Sequence, residues 1–406
     1  MWMNGNGNGN GSGKWRRFPF PFSFPLLLAC ASVGRPPGGP VDTDPPEIVS
    51  ASIDTNAVGV KAAKLELRFN EVVAERPSAA GAAGSPVTLE AIVLVSPRTG
   101  TAKVEWHRET ISIEPRGGFK PNTTYRVTLL PGLADLRGNV SRATRSYVFS
   151  TGPTIHPYGI LGRVFDWQAG TFAPGAIVEA VANPGTADST IYIAVTDSLG
   201  QFDVGPLAPG RYFIRSFIDA DRNRDRGVVE KWDTTTVNVT DHRPSIELLA
   251  AQRDTAIVGI QSVQALDSVW VRIALDKPYD PRVQLAFTMV SIKRADSSDV
   301  QVEAVMTEER MQVLRQVRDS TAARPSTDPI PPPPTDIPST RPPTARPSLP
   351  IPQTVIVARV SALTPLKAGE RYTITVRALP NLLGRPGSSA GVFDGPRPPS
   401  RPPGDE

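Results

Sequence analysis

From Glu47 onward, short runs in which apolar and polar residues alternate recur between clusters of turn residues. "KLELRF" puts Leu65, Leu67 and Phe69 on one face, and "TISIEP" does the same with Ile111 and Ile113. Alternation with period two, bounded by turns, predicts half-buried β-strands. "FKPNTTYRVTLL" places Tyr125 at the start of a strand after a tight turn, a position from which a phenol can bond back to upstream backbone as a tyrosine corner. "DLRGNV" and "SYVFST" follow as a turn and a closing strand.

The pattern repeats near the carboxyl end. "LKAGERYTITV", from Leu366, aligns without gaps on "FKPNTTYRVTL", from Phe119, and sets Tyr372 over Tyr125; upstream, "VWVRIALDKP" parallels "LELRFNEVV", with Leu275 over Phe69. The offset is 206 at the upstream landmark and 247 at the downstream one, so the later copy carries 41 additional residues between them. A proline-rich segment, Arg324 to Pro352, accounts for most of the excess; it cannot form a ladder, and an extended, solvated insertion is expected. Just before it, Thr307 to Asp319 is rich in helix formers and predicts one short helix with an apolar set at Met311, Leu314 and Val317.

Together, "IVSASIDTNAVGV", "LELRFNEVV", "FKPNTTYRVTL" and "DLRGNV" resemble the bacterial Ig-like domain of S-layer and envelope proteins, which implies a structural or adhesive module. Between the two copies, "ILGRVFD", "PGAIVEAV" and "IAVTDSLGQFDVGPLAPGRYFIRSF" resemble the prealbumin-like domain of carboxypeptidase regulatory segments and Cna B-type repeats. Asp197, Gly200, Phe202, Leu207, Pro209, Gly210 and Tyr212 carry that likeness. Lys231 is the single lysine of this stretch and lies late in it, so the Lys-Asn crosslink known in some Cna B-type domains is not carried over. The fold class expected is all-β, a tandem of β-sandwiches.

The amino-terminal stretch reads differently. A basic cluster, Lys14 to Arg17, precedes an apolar run from Phe18 to Ala29 that is too short to span a bilayer and fits a secretory signal. Leu27, Leu28, Ala29 and Cys30 resemble the lipobox of bacterial lipoproteins, which implies cleavage before Cys30 and acylation of that cysteine. Acyl chains anchor a protein because each buried methylene contributes about 0.8 kcal/mol. Cys30 is the one cysteine among 406 residues, so no internal disulfide exists and the cores must hold the fold unaided. The expected organisation is a signal peptide over 1–29, a Pro/Gly-rich tether over 30–46, an Ig-like sandwich over 47–153, a prealbumin-like sandwich over 154–250, a second Ig-like domain over 251–394 with a disordered insertion at 324–352, and a tail over 395–406.

Composition narrows the function. Glycine (33) and proline (43) exclude long helices as the main architecture. The 44 basic and 40 acidic residues are interspersed, without the basic runs that nucleic acid requires, so no nucleic-acid partner is expected. His107, His156 and His242 are scattered without zinc-ligand spacing, and neither a G-x-S-x-G elbow nor a phosphate loop is present, so no catalytic residue is assigned. The expectation is a non-enzymatic, membrane-anchored envelope protein of the outer membrane or cell surface, with an envelope protein or polysaccharide as partner. The alternative is a carbohydrate-binding module in which Trp106, Trp167, Trp232 and Trp270 offer flat faces.

One constellation has metal-ligand spacing. In "DADRNRDRGVVE", Asp219, Asp221, Asn223, Asp225 and Glu230 fall at loop positions 1, 3, 5, 7 and 12, as in a calcium loop. Arg224 stands at position 6, where such loops carry glycine, and the flanks read as strands. Two readings stay open at this point, a Ca2+ site and a charged hairpin whose carboxylates are neutralised by Arg222, Arg224 and Arg226.

Overall fold

The computed structural model describes residue 9 and residues 41–77, 88–186, 189–322 and 347–397. The signal-like run, Cys30, the stretch Arg324 to Arg346 and the end of the tail lie outside the described residues. Met1–Thr43 and Asp44–Glu406 form separate units, and every strand among the described residues lies in the second.

The first sandwich contains β1 (Ile48–Ala51), β2 (Leu65–Phe69), a single helical turn α1 (Leu89–Ile92), β3 (Val93–Ser96), β4 (Lys103–His107), β5 (Thr110–Glu114), β6 (Thr124–Leu129) and β7 (Arg145–Ser150). Its sheets run β1-β2-β5-β4 and β3-β6-β7, all antiparallel. The alternation is realised in β2, where Leu65, Leu67 and Phe69 are buried beside Ile111, Ile113 and Phe149, while Arg68 is exposed.

The middle sandwich contains β8 (Tyr158–Asp166), β9 (Thr171–Phe172), β10 (Ile177–Ala182), β11 (Thr190–Val195), β12 (Gln201–Leu207), β13 (Gly210–Phe217), β14 (Trp232–Val239) and β15 (Ser245–Ala250). One sheet is β11-β10-β13-β14; the other is β12-β8-β15, with β9 on β8 and β15 parallel to β8. Asp197 closes the turn before β12 by accepting the N–H groups of Leu199 and Gln201. Gly200 sits there at φ +67°, where a Cβ would meet the Val164 carbonyl oxygen at 2.5 Å, so only glycine fits. The Tyr212 hydroxyl donates to the Ala208 carbonyl at 2.8 Å, and burial pushes its pKa up to about 12.

The third sandwich contains β16 (Ile260–Ala265), β17 (Trp270–Leu275), β18 (Val290–Arg294), β19 (Asp299–Val300), β20 (Val302–Met306), the helix α2 (Glu308–Ala322), β21 (Val355–Val360), β22 (Arg371–Pro380) and β23 (Pro386–Asp394). Its sheets, β16-β17-β21-β20 and β19-β18-β22-β23, repeat the first sandwich with β19 added. The sequence repeat is therefore a repeat of topology. Residues 307–354 take the place of the turn Arg108–Glu109 that joins β4 to β5.

Two expectations about that insertion change. Met311 packs on Trp270, Met306 and Val357, but Leu314 and Val317 are exposed. The helix instead faces the sandwich along the row Glu308, Met311 and Arg315. Glu308 pairs with Arg272, while Arg315 pairs with Asp267 and lies 5.9 Å from the Trp270 ring centroid. The described end of the proline-rich segment is only partly solvated: Ser348, Pro350 and Ile351 are exposed, but the stretch is tied to the middle sandwich. Leu349 packs on the middle sandwich, and the Pro350 carbonyl accepts the Trp167 Nε1–H at 2.9 Å. A buried indole needs such a partner.

Both tyrosine corners form. The fully buried Tyr125 accepts the Lys120 N–H at 2.8 Å, and the fully buried Tyr372 accepts the Lys367 N–H at 2.8 Å, the same five-residue step in each copy. Replacing either phenol with phenylalanine leaves a backbone donor without its partner, so Tyr125→Phe and Tyr372→Phe should each lower stability by about 1–2 kcal/mol in urea unfolding. A neutral result for both would show that the corner bond does not hold these turns.

Candidate functional site

Chemically distinctive side chains gather where the first and middle sandwiches meet. Strand β3 is buried along its whole length because it has two covered faces. Val93 and Val95 belong to the core of the first sandwich; Leu94 points the other way, into a cluster with Ile177, Ile193 and Phe217. Strand β10 is two-sided as well, with Val178 and Ala180 in its own core, Ile177 in the joint and Glu179 without solvent exposure. Burying each large side chain of this cluster contributes about 1.5–3 kcal/mol.

Glu179 would be expensive to bury alone. Arg215 of the same sheet pairs with one of its oxygens, and Arg98 of the first sandwich reaches the other at 3.2 Å. The Arg98 guanidinium also donates to the Arg224 carbonyl and to Asp225 Oδ1, each at 2.7 Å. Its backbone N–H donates to the Ile191 carbonyl at 2.6 Å, and the Ile193 N–H donates to Ser96 Oγ at 3.1 Å, so the strand edges are stitched by backbone as well.

The loop Asp219 to Glu230 closes this joint. The structure brings three of the five candidate ligands together: Asp219, Asp221 and Glu230 offer carboxylate oxygens that all lie within 4.8 Å of one another. Asp225 is drawn away to Arg98, and the Asn223 side chain folds back, its Oδ1 accepting the Asp225 N–H and its amide donating to Asp221 Oδ2. Glu230 is buried and accepts the Ala220 and Gly227 N–H groups. Asp219 accepts the Arg224 N–H through Oδ2, while its Oδ1 is enclosed and accepts no hydrogen bond. Burial pushes the Asp219 carboxyl above the usual range, and the neighbouring Glu230 and Asp221 charges add to it.

Arg224 and Arg226 direct their guanidinium groups away from the trio. Arg224 takes the left-handed region at φ +61°, which meets the turn requirement without glycine, and sends its guanidinium to the Ala91 and Val93 carbonyls of the first sandwich. Arg226 lies 5.1 Å from the Trp232 ring centroid. Among the described residues no ion pair joins Arg222, Arg224 or Arg226 to Asp219, Asp221 or Glu230. A cleft of about 220 Å³ between Val93, Arg98, Ile193 and Arg224 opens beside the loop.

The second joint is more apolar. Phe165, Trp167, Leu249, Ala251 and Leu382 form one buried cluster between the middle and third sandwiches. Asn381 adds two bonds from its amide, to the Asp254 and Ala256 carbonyls, each at 2.9 Å. The tryptophans are spent inside the fold. Trp167 and Trp270 are buried, Trp106 is half-buried with its N–H given to the Val73 carbonyl, and half-buried Trp232 carries the guanidinium groups of Arg226 and Arg253. Among the described residues these four tryptophans are buried or half-buried. His107 and His242 sit beside Glu105 and Asp241 on exposed surface.

Residues 42–151 match the model of one protein family, described as a bacterial Ig-like domain. The first sandwich is thus similar to an Ig-like domain over its whole length. A comparison with curated proteins gave no match. Among solved structures, the chain is similar to the N-terminal part of the bacterial S-layer protein SbsC, at 15% identity, over 51% of this chain and 44% of that one, with a TM-score of 0.18. It is also similar to a longer SbsC structure at 9% identity, over 86% of this chain and 54% of that one, with a TM-score of 0.18. A tetra-tandem repeat from the extending region of a large adhesion protein matches at 13% identity, over 82% of this chain and 70% of that one, with a TM-score of 0.17. The chain thus spans about half the length of the S-layer structures it matches.

Two outcomes follow for the joint beside the Ig-like domain. Arg98→Ala leaves Glu179 with Arg215 alone and should cost about 1–3 kcal/mol of stability in denaturant unfolding. In EDTA at neutral pH, Asp219→Asn should raise the melting temperature. A raised folded-state pKa means that the charged form is disfavoured in the fold, so the gain should vanish as pH falls through that pKa and the native carboxyl takes up its proton. A lower melting temperature for Asp219→Asn at neutral pH would show that its charge is satisfied within the chain.

Proposed function

We propose that this chain is a non-enzymatic envelope protein whose three sandwiches act together as a stiff spacer and contact module, carried on the membrane by a lipid on Cys30. The observation that carries the spacer role is the pair of joints. Each combines a buried apolar cluster with directional bonds, Arg98 and Arg224 at one, and at the other Trp167 to the Pro350 carbonyl and the Ser348 N–H to Glu247. Linked domains move freely by default unless their interface is large and apolar, so two-sided strands at both joints favour a rod.

The Ig-like match at 42–151 supports a bacterial surface setting, and the lipobox-like Leu27 to Cys30 supports the anchor. In the middle, the carboxypeptidase regulatory-like reading draws support from the Asp197–Gly200 turn and the Tyr212 bond, which give the quoted residues structural roles. On this reading it is the module that meets both neighbours.

Metabolic labelling with a clickable fatty acid tests the anchor. The wild type should be tagged and sediment with membranes, whereas Cys30→Ala should be untagged. Equal labelling of the two would overturn the lipid anchor. Leu94→Asp, which puts a charge into the first joint, should leave labelling intact and separate anchoring from stiffness.

A further inference from the structure

We propose that the carboxylates of Asp219, Asp221 and Glu230 form a divalent-cation site, best suited to calcium, and that its occupancy tightens the joint between the first and middle sandwiches. This goes beyond the spacer role, which needs no ligand. Three carboxylates with oxygens within 4.8 Å of one another repel, and the guanidinium groups of Arg224 and Arg226 are directed elsewhere, to the Val93 carbonyl and the Trp232 ring. Asp219 Oδ1 is an independent pointer: the atom is enclosed and accepts no hydrogen bond. A buried acceptor without a partner costs free energy unless something outside the chain satisfies it. A hard cation does so, and an all-oxygen ligand set without an imposed octahedral geometry favours calcium over the strictly octahedral magnesium.

The coupling follows from where the loop is tied. Asp219 accepts the Arg224 N–H, and the Arg224 side chain holds the Ala91 and Val93 carbonyls across the joint. The Arg224 carbonyl and Asp225 in turn hold Arg98. Fixing Asp219 and Asp221 therefore fixes the backbone that presents Arg224 and Asp225 to the first sandwich. Val228 and Val229, 97% and 76% exposed, mark the outer side of the same loop, away from these ties.

Calcium chloride titrated into the full chain, freed of metal by EDTA and dialysis, tests the site by calorimetry. Binding near the extracellular range of about 10⁻⁴–10⁻³ M is expected. Asp221→Asn, at an exposed position where folding is not at risk, should weaken it at least about tenfold, the scale of losing one charged ligand. Hydrogen exchange read on peptides spanning Val93 to Arg98 and Thr190 to Val195 should slow in calcium for the wild type and not for Asp221→Asn. No heat at millimolar calcium, or equal affinity for wild type and Asp221→Asn, would overturn the site. Binding without slower exchange at the joint would overturn the coupling.

Discussion

A carboxylate with no access to water cannot stand without positive partners, and Glu179 draws its partners from two domains. Arg215 belongs to its own sheet, but Arg98 comes from the stretch just beyond β3 in the Ig-like domain. Such a pair gives little net stability, because desolvation offsets its attraction. It fixes geometry instead. Any rotation that withdraws Arg98 leaves part of the Glu179 charge unanswered and frees the Arg224 carbonyl and Asp225 as well. The apolar cluster around Leu94 and Phe217 supplies the cohesion, and the ion network supplies the orientation.

The sandwich architecture was legible because its signals are local. Alternation in Leu65 to Phe69 and in Thr110 to Glu114, and the step from Lys120 to Tyr125 with its echo from Lys367 to Tyr372, are each written within a dozen residues. The joints were not read, although they leave a trace. "IVLVS", "AIVEAVA" and "ELLAA" break the alternation, and each proves to be a strand with both faces covered. Continuous apolar runs of this kind mark strands without a solvent face. Which surface covers the second face depends on contacts far apart in the chain, such as Arg98 to Glu179 and Trp167 to Pro350.

The loop from Asp219 to Glu230 shows the same division. Its carboxylate spacing was legible, and three of its five oxygen-bearing residues do converge. Sequence could not show that Arg224 takes the left-handed turn and spends its charge on the Ig-like domain, or that Asp225 leaves the cluster for Arg98. The missing glycine, which seemed to weaken a metal reading, is the residue that ties the loop to its neighbour. Likewise the tryptophans, candidates for sugar platforms by type alone, serve packing, at Trp167 in one joint and at Trp270 beneath α2.

The central claim is that the sandwiches between Asp44 and Glu406 move as one body. Spin labels on Val58→Cys and Val392→Cys, both exposed positions, in a Cys30→Ala background report the distance between the first and third sandwiches by double electron–electron resonance. A single narrow distance distribution, broadened by Leu94→Asp, is the predicted result. A broad distribution in the otherwise unaltered chain would mean that the joints are hinges, and the spacer account would fall.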